Sequence, residues 1–114
     1  MQTTKQIGDE AEDLAVDYLR GQGYEIIERN FRCSFGEVDI IALDGDALVF
    51  VEVKKKGSDR FGTPGEMITP KKLEKVRRSA QKYMADNILE NADWRIDAVL
   101  INGERVELLK NITI

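Results

Sequence analysis

Two segments, "EVDIIAL" and "ALVFVEV", flank Asp44-Gly45-Asp46, and no other feature of the chain limits its fold as much. Both are dense in β-branched residues, which suit a pleated, half-buried surface. Gly45 between two aspartates supplies the positive φ of a tight turn, so the stretch is predicted to be a β-hairpin. Side chains alternate along a strand, which places Glu37, Asp39 and Ile41 on one face of the first strand and Val38, Ile40 and Ala42 on the other. In the second strand, Leu48, Phe50, Glu52 and Lys54 alternate with Val49, Val51 and Val53.

Two registers match the apolar faces. A two-residue turn at Gly45-Asp46, or a four-residue loop from Asp44 to Ala47, sets Asp39 opposite Glu52. A turn at Asp44-Gly45 instead sets Asp39 opposite Phe50 and Glu37 opposite Glu52. Either keeps Asp39, Glu52 and Lys54 on one face, whereas a one-residue slip would drive acids against valines.

Around the hairpin the remaining elements follow from periodicity. Residues 9–21 are predicted to be a helix with Ala11, Leu14, Ala15, Tyr18 and Leu19 on its apolar face, ended by "GQG". "YEIIERNFR" (24–32) is read as the first strand. Thr69 and Pro70 start a second helix as N-cap and first helical residue, and it is expected to run to about residue 89. Its apolar side carries Leu73, Val76, Ala80, Tyr83 and Met84, and its opposite side carries Lys71, Lys75, Arg78 and Lys82. "WRIDAVLI" and "ERVELLK" form a second hairpin, with a type I′ turn expected at Asn102-Gly103. The order α-β-β-β-α-β-β predicts an α/β fold of one domain, residues 1–114. A mixed central sheet of about five strands would lie between helices in three α/β/α layers.

Composition removes many chemistries. The chain has no histidine and a single cysteine, Cys33, so Ser-His-Asp catalysis, Cys/His zinc sites and intrachain disulfides are excluded. A catalytic metal would be held by oxygens, which suits Mg²⁺, Mn²⁺ or Ca²⁺. No apolar run is long enough to span a bilayer and no signal peptide is evident, so a cytoplasmic protein without a membrane partner is expected. The net charge of −4 conceals a separation: of 17 Lys+Arg and 21 Asp+Glu, ten and three fall in residues 54–82, leaving 7 and 18 elsewhere. A concentrated basic stretch can bind a polyanion on a globally acidic protein.

Facing carboxylates in a hairpin repel, and a structural sequence would be expected to avoid them. A divalent cation removes the conflict, with Asp39 and Glu52 as ligands and the Val53 carbonyl as a further oxygen. Lys54, one step along the same face, would orient a metal-bound water and offset charge in a phosphoryl transition state. The competing reading is a solvated outer face with Glu52 and Lys54 as ordinary surface charges. Lys55 and Lys56, adjoining the Lys71, Lys75, Arg78 and Lys82 stripe, are read as nucleic-acid contacts to backbone and shape, and equally as a solvated helix face. Gly57 and Gly62 have the spacing of a phosphate loop, but Thr63-Pro64 follows where Lys and Ser/Thr are required, and a P-loop is rejected.

Asp39, followed by Glu52-Val53-Lys54, resembles the D…(D/E)xK signature of the PD-(D/E)XK nuclease superfamily. "AEDLAVDYLRGQGYEIIERNFR", "GEVDIIALDGDALVFVEVK" and "DRFGTPGEMITPKKLEKVRRSAQKYM", in that order, resemble the YraN family of uncharacterised bacterial proteins, related to Holliday-junction resolvases, over residues 8–101. The resemblance implies a restriction-endonuclease-like fold and a Mg²⁺- or Mn²⁺-dependent endonuclease acting on DNA, with branched DNA and a homodimer in view. It implies Asp39 and Glu52 as metal ligands, Lys54 as catalytic lysine, Glu12 as an auxiliary acid, Glu37 as a lesser one, and Lys72 as a phosphate contact. Three departures stand out. Val38 replaces the motif proline, Ala11 stands where a glycine usually precedes the helix glutamate, and Lys56 stands where arginine is frequent. The alternative is a nucleic-acid- or protein-binding module of nuclease-like fold without useful catalysis.

Overall fold

The computed structural model describes residues 4–55 and 68–112, with side chains from residue 10 onward. The elements follow the expected order: α1 (Thr4–Gly21), β1 (Glu25–Cys33), β2 (Gly36–Asp44), β3 (Ala47–Lys55), α2 (Pro70–Asp86), β4 (Trp94–Asn102) and β5 (Arg105–Leu109). The strands form one sheet in the spatial order β1-β2-β3-β4-β5, antiparallel except for the parallel pair β3 and β4. A parallel pair needs a long crossover, and here the β3-to-β4 connection contains α2.

Each helix covers one face. Ala11, Ala15, Val16 and Leu19 of α1 pack with Ile40, Ala42, Val49, Val51, Val99 and Ile101. Leu73, Val76, Ala80, Tyr83 and Met84 of α2 pack with Ile41, Leu48, Phe50 and Ile96. Phe50 lies at the centre of the second cluster, edge-on to both Tyr83 and Trp94 at 5.9 Å. Glycine ends α1 as expected: Tyr24 N–H donates to Leu19 O and Gly23 N–H to Arg20 O, with Gly23 at φ 93. This is a Schellman cap.

Several expectations are corrected. The buried face of α1 is Ala11, Glu12, Ala15, Val16 and Leu19, turned by about 60° from the expected stripe. Leu14 is left 45% exposed. The rotation brings Glu12 onto β1, where Arg29 and Asn30 bond it. Helix α2 stops at Asp86 rather than near 89, because Leu89 N–H donates to Met84 O and Ile88 N–H to Ala85 O, a second Schellman cap. Here Ile88, not glycine, holds the left-handed position at φ 54. The turn between β4 and β5 is Gly103-Glu104, since Asn102 pairs with Arg105. Gly103 has φ 64 and Glu104 no positive φ, the pattern of a type II′ rather than a type I′ turn.

The strict face assignment for β2 also fails. Val38 joins the α2-side cluster with Ile41, while Ile40 and Ala42 face α1. The neighbouring strand turns over at the same level. Phe31, opposite Val38, packs on the α2 side, and Arg29, opposite Ile40, reaches Glu12 on α1. Asn30 lies between them at φ 57. A side-chain amide tolerates that left-handed backbone better than most residues. The irregularity therefore falls at Asp39, the residue across from it.

Candidate active site

The β2-β3 ladder runs from Asp44↔Ala47 to Ile40↔Val51, so the turn is Gly45-Asp46, with Gly45 at φ 60. Of the two registers, this is the one that sets Asp39 level with Glu52. The ladder then stops, and one carboxylate oxygen of Asp39, Oδ2, accepts the Val53 N–H at 2.8 Å. A side chain has taken over a bond that the next backbone pair would have made. Where the two strands part, both acids meet.

Strand β3 keeps its alternation, because its parallel ladder with β4 is continuous from Leu48↔Trp94 to Lys55↔Ile101. Phe50, Glu52 and Lys54 therefore share the α2 side. Glu52 is only 2% exposed, which rules out the solvated-face reading for this residue. Its Oε1 lies 3.5 Å from Lys72 Nζ of α2, and its Oε2 is buried without a hydrogen-bond partner among the described residues. Burial, and then the neighbouring Asp39 charge, push the Glu52 carboxyl up to about 8, with Lys72 acting in the opposite direction. A buried acid with an orphaned oxygen, beside a second acid, is costly unless a proton or a cation occupies the gap.

The oxygen donors fit a hard divalent cation. Mg²⁺ commonly takes one or two carboxylates and completes its shell with water and phosphate. Among the described residues no third His, Cys, Asp or Glu joins the pair. Glu12 is buried, but its Oε1 accepts Arg29 Nε at 2.8 Å and Asn30 Nδ2 at 3.0 Å. Its charge is answered there, so the structure does not bring Glu12 into one cluster with Asp39 and Glu52. Glu37 is half-exposed and pairs with Arg32 at 3.2 Å.

The cationic residues divide into three groups. Lys54 and Lys55 lie at the end of β3, and Lys54 makes no hydrogen bond or ion pair among the described residues. Lys71, Lys75, Arg78 and Lys82 are exposed on α2 as expected. Arg78 is committed to Glu74 at 3.2 Å and Lys82 to Asp86 at 2.9 Å, so half the stripe is answered on its own helix. Lys72, expected as a phosphate contact and lying outside the stripe, has its ammonium 3.5 Å from Glu52. Lys56, Gly57 and Gly62 lie outside the described residues.

A cavity of about 330 Å³ lies between the β1-β2 turn and α2, lined by Arg32, Cys33, Gly36, Glu37, Lys72 and Lys75 among others. Gly36 sits against α2, where a Cβ would meet Ser79 Oγ at 3.5 Å and Lys75 Cβ at 3.6 Å. Its φ of 147 lies outside the usual range of L residues.

Sequence reasoning missed a third buried acid. Asp97 of β4 is fully buried and accepts Tyr24 OH at 2.7 Å, Arg95 Nε at 2.9 Å and Asn111 N–H at 2.8 Å. Arg95 also reaches Asp44 at 2.6 Å. Burial and the Asp97 carboxylate hold the Tyr24 hydroxyl well above its ordinary pKa. The one signal was the polar pair Arg95 and Asp97 inside an otherwise apolar strand. Both Asp97 oxygens are answered, so the network ties β4 to the end of β2, to Tyr24 ahead of β1 and to the segment after β5 rather than offering a reactive site.

Among the described residues no helix is long and apolar enough to cross a membrane. The model of a family described as "Uncharacterised protein family UPF0102" matches residues 11–101. A UPF0102 protein of Neisseria gonorrhoeae (strain NCCP11945) is 44% identical over 107 residues, covering 93% of each chain. One from Persephonella marina is 45% identical over 104 residues, covering 91% of this chain and 90% of its own. The chain also aligns over 95% of its length with 52% of a solved chain described as "Crystal structure of SSO0001", at 19% identity and TM-score 0.47. It thus spans about half of that chain. The resemblance to the YraN family is borne out at this level: the chain belongs to the UPF0102 family.

Proposed function

We propose that the chain is a Mg²⁺- or Mn²⁺-dependent endonuclease of the PD-(D/E)XK type that hydrolyses phosphodiester bonds in DNA, branched DNA included. The observation that carries this reading is the buried, unpartnered Oε2 of Glu52 beside Asp39 where β2 and β3 separate. Such a pair is destabilising as a structural element and suited to a divalent ion as a functional one. When bound, the ion would lower the pKa of a coordinated water and polarise the phosphoryl oxygen.

The chain's own residues would do the rest. Asp39 is aimed by the Val53 N–H, which fixes one oxygen and leaves the other for a ligand. Glu52 is held from below by the sheet and from the side by Lys72. Lys54, on the same face and without a partner among the described residues, would orient the attacking water and offset charge on the phosphate. Lys55, Lys71 and Lys75 would contact backbone phosphates, and Lys56 belongs to the same proposal by sequence position. Glu12 would act through Asn30 rather than as a direct ligand. Two symmetric cuts at a junction would require a homodimer.

One observation favours a binding module instead: Lys72 already supplies a cation to Glu52. The two readings separate when Mg²⁺ and Mn²⁺ are titrated against junction, flap, single-stranded and duplex DNA, with wild type compared with Asp39→Ala and Lys54→Ala. Metal-dependent cleavage that both substitutions abolish supports hydrolysis. Cleavage undiminished in both would refute the site, and salt-sensitive affinity without cleavage under any metal condition would favour the module.

A further inference from the structure

The turn between β1 and β2 carries an aromatic side chain that the fold does not use. Cys33 pairs with Gly36, so Ser34 and Phe35 form the tip, and Phe35 is 44% exposed and belongs to neither core cluster. Phe31, four residues earlier, is packed edge-on against Tyr83 at 5.3 Å, so the core's demand for an aromatic is met without Phe35. The turn is also anchored. Gly36 lies against Ser79 and Lys75 of α2, which fixes the base of the tip against the helix.

Cys33 and Gly36, which flank the tip, line the cavity of about 330 Å³ that also contains Arg32, Lys72 and Lys75. Its size is near the lower end of the range for small-ligand pockets, roughly 300–1,000 Å³. Lys72 on its wall is the residue that reaches Glu52 at 3.5 Å, so one side chain links the cavity to the acid pair. Lys75 has no ion pair among the described residues. Among the described residues Arg32 pairs only with Glu37, through Nε, and its side chain is 78% exposed, so no described residue engages its terminal guanidinium nitrogens. Cationic donors for a phosphate thus line a cavity at the foot of a turn whose tip carries an exposed aromatic for a base, the combination by which unpaired nucleic acid is held.

We infer that this turn and cavity form a subsite for an unpaired nucleotide, its phosphate held by Lys75 and Arg32 and its base stacked on Phe35. The inference deepens the nuclease reading, on which it rests for the substrate strand's approach to Asp39 and Glu52. A duplex keeps its bases stacked inside and cannot offer one to Phe35 without unpairing it. The subsite therefore favours single strands, flaps and frayed junctions over flush duplex.

The test is binding in EDTA, which separates it from hydrolysis. Anisotropy would compare a labelled oligo(dT) of about 20 nucleotides with a flush duplex of equal length. Phe35→Ala is expected to weaken oligo(dT) binding about tenfold and to change duplex binding less than about twofold. Lys75→Ala should weaken both and lower the salt dependence of both by about one phosphate contact. Phe35→Trp should retain affinity, and its added fluorescence should be quenched by oligo(dT). Circular dichroism melts unchanged by Phe35→Ala would show that the fold survives. Equal effects of Phe35→Ala on both DNAs, no effect on either, or an unquenched Phe35→Trp would overturn the inference. The selective loss without any metal-dependent cleavage would leave it standing and remove hydrolysis alone. Cleavage abolished by Asp39→Ala but binding indifferent to Phe35→Ala would do the reverse.

Discussion

Glu52→Gln tests the energetics of the site before any metal or DNA is added. The Glu52 carboxyl stands near 8 in the folded chain against an ordinary value of 4.5. Because the folded value is the higher, the folded chain holds a proton that the unfolded chain has lost once the pH passes 4.5. Stability then falls as pH rises through that window and levels off above about 8. Ionising Glu52 with nothing bound costs on the order of 5 kcal/mol over the whole window, and about 3 kcal/mol of that falls between about pH 5.5 and pH 8.5. This is a large part of the 5–15 kcal/mol typical of a domain. In Glu52→Gln an amide replaces the titrating group and can donate to Asp39, so this slope should vanish. Urea denaturation followed by circular dichroism at the two pH values would show the wild type losing about 3 kcal/mol more than the variant. The variant should be the more stable at the upper pH. Parallel pH profiles for the two proteins would refute the claim that Glu52 is a buried acid held against its ionisation.

Three further expectations concern other places. Lys72→Ala removes a charge that favours ionised Glu52, so a carboxyl-carbon NMR titration should show the Glu52 midpoint moving above about 8. Ile88→Gly relieves a β-branched residue from φ 54 at a cap where Ile88 is 85% exposed, and should stabilise by about 1 kcal/mol, raising Tm by about 4 °C. Asp97→Asn leaves Arg95 and the Asn111 N–H facing an uncharged and partly mismatched group, and should cost about 3–5 kcal/mol in urea denaturation.

What the sequence could reveal follows from which interactions are local. The β2-β3 hairpin was legible because Gly45 and the alternation around it are short-range, and the α2 start was legible because Thr69 Oγ1 accepts Lys72 N–H within one turn. The α1 face was misjudged because its apolar pattern fits two overlapping stripes, and the partner contacts of Glu12 with Arg29 and Asn30 select between them. The flip at Asn30 and Asp39 was invisible for a related reason. Period-two reasoning assumes an unbroken strand, and the break requires two strands to turn over together. Asp39 and Glu52 were found as a pair because they are level in one hairpin. The depth of Glu52, and its contact with Lys72, needed α2 laid across the sheet. The Tyr24, Arg95 and Asp97 network joins residues more than seventy positions apart, beyond any local pattern.

The proposed function requires Asp39 and Glu52 together to hold one divalent cation. Electron paramagnetic resonance of Mn²⁺ titrated into the protein at neutral pH reads the free ion directly. One Mn²⁺ should be taken up per chain by the wild type, with uptake lost in Asp39→Asn and in Glu52→Gln. Equal uptake by all three proteins, or none by the wild type at millimolar Mn²⁺, would contradict it.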